Sequence, residues 1–208
     1  PKLLDYGNGT GAFIDGGVSV YNNPAMLLFM MARIPGYAYN WEVGEDKLLL
    51  CSIGTGLNHM KNTLSGTWQL GRKNALFWGK TVPNLFIRDA NRFTEAMLQY
   101  LSVSPTAREI NSEIGDLHLD LLTQEPQLTY LRYNATFDEG LLPFAQQLHE
   151  MDPERFPRRK NVARLMRLDD ARNVQLLYAI GARAAEEQLS AEKFEAHFPV
   201  GFDRPGES

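Results

Sequence analysis

The stretch Ala12-Phe13-Ile14-Asp15-Gly16-Gly17-Val18-Ser19-Val20-Tyr21-Asn22-Asn23-Pro24 decides how this chain is read. Ala12 to Ile14 has the character of the last residues of a buried strand, and Gly16-Gly17 permits a sharp turn directly after it. Asn22-Asn23-Pro24 reads as a helix N-cap followed by proline at the first helical position. One carboxylate, Asp15, is thereby set between a strand end and a helix start. In open α/β sheets the carboxyl ends of the strands are where ligands and chemistry gather, which makes Asp15 a candidate catalytic carboxylate.

Upstream of that stretch, Pro1 to Gly11 is glycine-rich and polar and reads as a loop. Downstream, Met26, Leu27, Met30 and Met31 are spaced to bury one face of a helix from Pro24 to Arg33, which Pro35-Gly36 ends. Lys47 to Ile53 is a nearly continuous apolar run broken by Gly54-Thr55-Gly56, the pattern of a parallel strand buried on both faces. Thr67 to Phe86 has no clear period, and Trp68, Phe77, Trp78, Leu85 and Phe86 suit either core packing or an acyl-chain groove. A helix is expected from Asp89 to Leu101 with Phe93, Met97, Tyr100 and Leu101 on one side. Another is expected from Pro105 to Thr123, where Ile110, Ile114, Leu117 and Leu121 recur at helical spacing. Leu128 to Asn134 alternates tyrosine with leucine and reads as a late strand. Leu168-Asp169-Asp170 caps a last helix whose packing face is Val174, Leu177, Tyr178, Gly181, Ala184 and Ala185. The sum is an α/β protein short of strands, and the missing ones are expected before Pro1.

A chain of 208 residues, 44% of them hydrophobic, has enough apolar material for one sizeable core and is read as one domain over residues 1–189, with a tail over 190–208. A net charge of −4 argues against a general nucleic-acid binder. With Cys51 as the single cysteine no intrachain disulfide can form, which suits a reducing, cytoplasmic setting. Within Leu48-Leu49-Leu50-Cys51 it reads as a small buried hydrophobe. No apolar run approaches the ~18 residues of a membrane span. The absence of an initiator methionine reads as a start partway into a domain.

Neither a metal nor an organic cofactor is expected. Gly7-Asn8-Gly9-Thr10-Gly11-Ala12 fits G-x-G-x-x-A but precedes a strand, the wrong context for a dinucleotide fingerprint. On the helix expected over Pro105–Thr123, His118 faces away from Asp116 at about 100° per residue, and His59, His149 and His197 are isolated. Gly54-Thr55-Gly56 lacks the lysine of a P-loop and is assigned a packing and turn role. Arg155, Arg158, Arg159, Lys160, Arg164 and Arg167 form the basic cluster. It reads as a solvated face, with anionic lipid headgroups as the functional alternative.

Asp15-Gly16-Gly17 with Asn22-Asn23-Pro24, then Leu50-Cys51-Ser52-Ile53-Gly54-Thr55-Gly56, then Leu168 to Gly181, resembles in order and spacing the carboxyl-terminal part of patatin-like phospholipases of bacterial type. The similarity reaches from Gly11 to Leu189. It implies a partial three-layer α/β/α domain and a serine–aspartate dyad, in which Asp15 takes the proton from a serine hydroxyl without an intervening histidine. Gly16 and Gly17 would form the active-site turn, with Asn22 and Asn23 capping the helix and bracing that turn. The family's G-x-S-x-G elbow is absent. Ser52 lacks the glycine before it, and Ser19, Ser65, Ser102, Ser104, Ser112 and Ser190 fit no better. The resemblance therefore implies the base-bearing piece of a lipid acyl hydrolase, inactive alone. Its partners would be a lipid ester substrate, a transient membrane-surface contact, and either a second copy or the missing amino-terminal half. A free carboxylate is a weak base toward a hydroxyl at neutral pH, so partial burial or a strongly oriented serine is required. The rival readings are a catalytically silent lipid-binding or regulatory module, and an acyltransferase.

Overall fold

The computed structural model describes residues 2–5, 7–13, 15–58, 75–110, 115–116, 120–138, 140–158, 162–165 and 170–189. In chain order the elements are β1 (Lys2–Asp5), β2 (Thr10–Phe13), α1 (Ala25–Arg33), β3 (Leu49–Ile53), β4 (Leu57–Asn58), α2 (Ala75–Leu101), β5 (Ser102–Val103), β6 (Leu128–Tyr133), β7 (Thr136–Phe137), α3 (Leu141–Met151), α4 (Val162–Leu165) and α5 (Val174–Gln188). The protein is mixed α/β with a parallel sheet. Its chain divides into two compact units, Pro1–Ser52 with Thr67–Leu131, and Ile53–Gly66 with Arg132–Ser208. Where composition reads as one core, the buried apolar residues form two clusters, one in each unit.

The three-stranded sheet runs in the order β3-β6-β5. β5 and β6 are parallel, with Ser102 opposite Leu128. Thr129 N–H donates to Leu48 O at 2.9 Å, and further along the same strands Gly54 N–H donates to Tyr133 O at 2.8 Å, so β3 is parallel to β6 as well. Burial follows strand position. Leu128, Thr129, Tyr130 and Leu131 of the central strand are all buried, which is the both-faces burial expected of Lys47–Ile53. β3, at the edge, alternates instead: Leu50 and Ser52 are buried, Cys51 is exposed and Ile53 is 79% exposed. Cys51 is thus not the buried hydrophobe that its apolar neighbours suggest.

In the first unit Ala25, Leu48, Leu50, Leu98, Leu128 and Tyr130 form the core, with Met26, Phe29, Val43 and Leu101 packed against it. α1 occupies the expected residues, but its inner stripe is Ala25, Met26, Phe29 and Ala32. Met30 is on the exposed side. Beyond α1 the chain closes a loop, as Trp41 N–H donates to Ala32 O at 2.7 Å and Arg33 Nη1 to Asn40 Oδ1 at 3.0 Å. Asn40 holds the positive φ of 43° that the closure needs, and Tyr37, Tyr39 and Trp41 point into solvent.

Three expectations fail in this unit. Residues 2–5 are a strand, and β1 and β2 pair antiparallel as an exposed ribbon, with Leu3 72% exposed. The strand ahead of Asp15 therefore lies outside the parallel sheet, and Ile14 lies outside the described residues. Helix α2 begins at Ala75 and passes through Pro83, so residues 75–88 are helical as well; its core side is Thr94, Leu98 and Leu101, while Phe86 and Phe93 are exposed. Residues 105–110, 115–116 and 120–123 are not helical. The reason is Gln99, 5% exposed, whose Nε2 donates to Arg108 O at 3.0 Å and Asp116 O at 2.7 Å while its Oε1 accepts from Arg108 N–H at 3.4 Å. These bonds occupy backbone groups that a helix would pair internally.

In the second unit β4 and β7 are parallel, and Phe137, Ala145, Phe156, Leu165, Leu176 and Ile180 form the core. The Gly54-Thr55-Gly56 turn is fixed by packing, as assigned. A Cβ at Gly54 would stand 2.5 Å from Asn134, one at Gly56 would run into the Phe137 ring, and Gly56 N–H donates to Asn134 Oδ1 at 2.7 Å. Before α5, Asp170 caps the short 3-10 turn Ala171–Asn173. The buried side of α5 is Leu176 and Ile180; Val174 and Tyr178, expected to pack, are 58% and 73% exposed. Expectations on Trp68, the Phe77 side chain, His59, Ile114, Leu117, His118, Arg159, Lys160, Arg167, Leu168, Asp169, His197 and residues 190–208 lie outside what is described. Among the described residues no helix is long and apolar enough to cross a membrane, and no group of three or more His, Cys, Asp or Glu is placed to hold a metal ion.

Candidate active-site turn

Asp15 is the N-cap of a 3-10 turn over Gly16–Val18, and its Oδ1 accepts from Gly17 N–H at 2.8 Å. The residue is exposed. Among the described residues no serine hydroxyl reaches the carboxylate. Neither Gly16 nor Gly17 has a positive φ, so glycine's conformational freedom is not what the turn requires. Space is the requirement, and only at Gly17. A Cβ there would stand 3.1 Å from Asp15 Oδ1, whereas one at Gly16 would make ordinary contact, 3.7 Å, with Tyr21 O.

Ser19, to which the sequence assigns no role, organises the next step. Its N–H and Oγ–H both donate to Gly16 O, at 3.0 and 2.9 Å, and its Oγ accepts from Tyr21 N–H at 3.1 Å to cap a second 3-10 turn, Val20–Asn22. Serine ahead of an irregular stretch is the legible signal for such a turn. Asn22 is exposed, with its Oδ1 3.9 Å from the position of a Gly17 Cβ, beside the Asp15 turn that it was expected to brace.

Asn23 is 4% exposed, and Pro24 takes the cap position of α1. Asn23 Oδ1 accepts from Ala25 N–H at 3.3 Å, the helix-capping bond, and from Ser52 Oγ–H at 3.4 Å. The Ala25 bond requires the oxygen at that position and so fixes the amide's orientation. Its Nδ2 is then a buried donor with no partner among the described residues. An unmet donor of this kind costs about 1–3 kcal/mol, which other contacts of the turn offset. Through Ser52 the segment after Asp15 is joined to β3, a strand of the parallel sheet.

Two further D-x-G triplets make the same carboxylate bond to the N–H two residues on. Asp5 Oδ1 accepts from Gly7 N–H at 2.9 Å, and Asp138 Oδ1 from Gly140 N–H at 2.8 Å. Next to Ser52, Cys51 is exposed, yet partial burial of its thiol pushes the pKa above the ordinary value. No protein-family model, no curated protein and no solved structure matches the chain.

Proposed function

We propose that this chain is the base-bearing part of a patatin-like lipid acyl hydrolase, with its sheet forming part of a three-layer α/β/α domain. The observation that supports this is the pinned, exposed carboxylate of Asp15, held by Gly17 N–H at 2.8 Å on a segment tied to β3 by the Asn23–Ser52 bond. One oxygen is committed to the backbone and the other is open to a substrate-side partner. The serine comes from another stretch of polypeptide, since none here sits in a G-x-S-x-G elbow. Asp15 takes the proton from that hydroxyl as it attacks the ester carbonyl and passes it to the departing alcohol, leaving an acyl-serine; in the second half it takes a proton from the attacking water and returns it to the serine oxygen as the fatty acid leaves. Because Asp15 is exposed, orientation of the serine, and not burial of the base, is the lever by which proton transfer is favoured.

The substrate is a lipid ester met at a membrane surface. Among the described residues the outer edge of β3 pairs with no further strand, which favours pairing with one from a second copy or from the serine-bearing half. Light scattering of the 208-residue chain is therefore expected to show a species larger than a monomer.

The test is hydrolysis of a short chromogenic ester and of phospholipid vesicles by an amino-terminally extended protein, with and without Asp15→Asn. Loss of activity with Asp15 supports the dyad, and retention of more than about a tenth of the rate, where general-base catalysis contributes about 10²–10⁴-fold, rejects it. A second reading, a catalytically silent lipid-binding module, is favoured by one observation: Asp5 and Asp138 make the same bond to the N–H two residues on, so local backbone bonding alone accounts for the Asp15 contact. Product analysis with a glycerolipid acceptor separates hydrolase from acyltransferase.

A further inference from the structure

In the second unit α3, the turn after it and α5 enclose an open groove of about 560 Å³. Volumes of about 300–1,000 Å³ are typical of small-molecule sites. Its walls combine apolar and charged side chains. Phe144, Phe156, Ala179 and Ala182 line it, with the exposed Tyr178. The Arg155 guanidinium lies 5.2 Å above the Phe156 ring. That of Arg183 lies 4.9 Å above Phe144, and Glu186 completes the charged part of the lining.

The two arginines differ in what they face. Arg183 Nε is bonded to Glu187 Oε1 at 2.7 Å, so its charge is met within the helix. Among the described residues Arg155 faces only a neutral acceptor: its Nε and Nη2 share Gln175 Oε1 at 3.4 and 3.3 Å, both long. The nearby Asp152 carboxylate is bonded to the Arg155 backbone N–H at 3.0 Å and not to the guanidinium. Among its described residues the groove therefore presents one guanidinium, that of Arg155, with no carboxylate bonded to it, as a planar fork beside apolar side chains, and the one carboxylate of the lining is that of Glu186. A planar fork matches the two oxygens of a carboxylate, and a single such guanidinium matches a monoanion better than a dianion.

We propose that this groove binds a single-chain carboxylate amphiphile, with its carboxylate on Arg155 and its apolar chain along Ala179 and Ala182. Its lining shares no residue with the Asp15 turn, and binding there does not depend on acyl hydrolysis. The weak bonds to Gln175 are exchanged for two charge-assisted bonds to the ligand, and the Phe156 and Phe144 rings flank the chain.

The experiment is calorimetric titration of the full chain with dodecanoate below its micellar concentration, beside dodecanol, dodecyl phosphate and dodecyltrimethylammonium. Dodecanoate is expected to bind at one site. Arg155→Gln should weaken it about tenfold, the scale of losing a charge-assisted bidentate pair. Ala182→Trp, which fills the groove from an exposed position, should abolish it, and Arg183→Gln should leave it within about twofold, as for a charge already met by its neighbour. All three positions are exposed, and circular dichroism checks that each variant is folded. Equal binding of dodecanol or of the ammonium amphiphile, an unchanged affinity in Arg155→Gln, or no dodecanoate binding overturns the proposal. Tighter binding of dodecyl phosphate overturns the monoanion assignment.

Discussion

Asp15 and Asp138 stand in the same local setting, each just beyond a strand and at the start of helical structure, and each accepts the N–H two residues on at 2.8 Å. The glycine that closes the turn is equally constrained in both. A Cβ would stand 3.1 Å from the carboxylate oxygen at Gly17 and 3.0 Å at Gly140. The strands before them differ, for β7 pairs parallel with β4 while β2 belongs to an exposed antiparallel ribbon. The criterion of a carboxylate at the end of a parallel strand thus selects Asp138, which sequence pattern alone does not single out. The segments beyond the two turns differ too. Leu141 N–H bonds Asp138 O at 3.2 Å and the chain goes straight into α3, so that turn starts a helix and does nothing further visible. After Gly17 the chain makes a second turn on Ser19 and reaches β3 through Asn23 and Ser52. A D-x-G triplet explains a turn; the attachment of its surroundings to the sheet distinguishes one triplet from another.

The largest effect separating the two should be catalytic. In the extended protein Asp15→Asn is expected to lower ester hydrolysis by about a hundredfold or more, with Asp138→Asn within about twofold, read from initial rates on a chromogenic ester. The reverse pattern would move the site to Asp138. Next comes the link to β3. Asn23→Ala removes the cap and the Ser52 bond and should lower unfolding stability by about 1–2 kcal/mol in urea, while Asn22→Ala, at an exposed position, should change it by less than about 0.5 kcal/mol. Equal effects would remove the distinction between the two asparagines.

Smaller again, Gly17→Ala and Gly140→Ala should each cost about 1 kcal/mol by pressing on a carboxylate, with Gly16→Ala close to neutral. Only the Gly17 change should also reduce activity. The smallest effect concerns the thiol beside Ser52. Because partial burial raises the Cys51 pKa, its thiolate fraction at about pH 8 is lower than that of a free cysteine. Alkylation by iodoacetamide should be slower than for a free thiol at that pH, and the gap should narrow as the pH rises. A rate equal to that of free cysteine under those conditions would contradict the burial.

Much of the fold was legible where local pattern and tertiary role agree. α1, β3, β6 and α5 fall on the expected residues because their apolar runs are bounded by proline, glycine or capping residues. Their faces were less legible. In α5 the apolar spacing allows either Val174 and Tyr178 or Leu176 and Ile180 to face inward, and packing selects the second pair. Within residues 105–123 the described positions are not helical, for a reason no periodicity reveals, since Gln99 from α2 claims backbone groups at Arg108 and Asp116. Asp15, Gly17 and Asn23 were found at the candidate turn by residue type. Ser19 and Ser52 entered only through bonds that the folded chain creates, and of those two only Ser19 left a local signal.

The loop closed by Trp41 N–H on Ala32 O carries a spectroscopic consequence. Trp41 is 56% exposed, and its ring lies 6.2 Å from that of Tyr39 in an edge-on arrangement. An indole so placed emits at long wavelength and is open to acrylamide, and excitation of the neighbouring phenol transfers to it over a distance fixed by the loop's closure. Opening of the loop alone, for example in Asn40→Ala, which releases the Arg33 bond and disfavours the positive φ at that position, would change that transfer while the helical signal stays constant. With Trp68 and Trp78 replaced by phenylalanine, the protein thus holds an optical reporter of this one loop, distinct from any reporter of global unfolding.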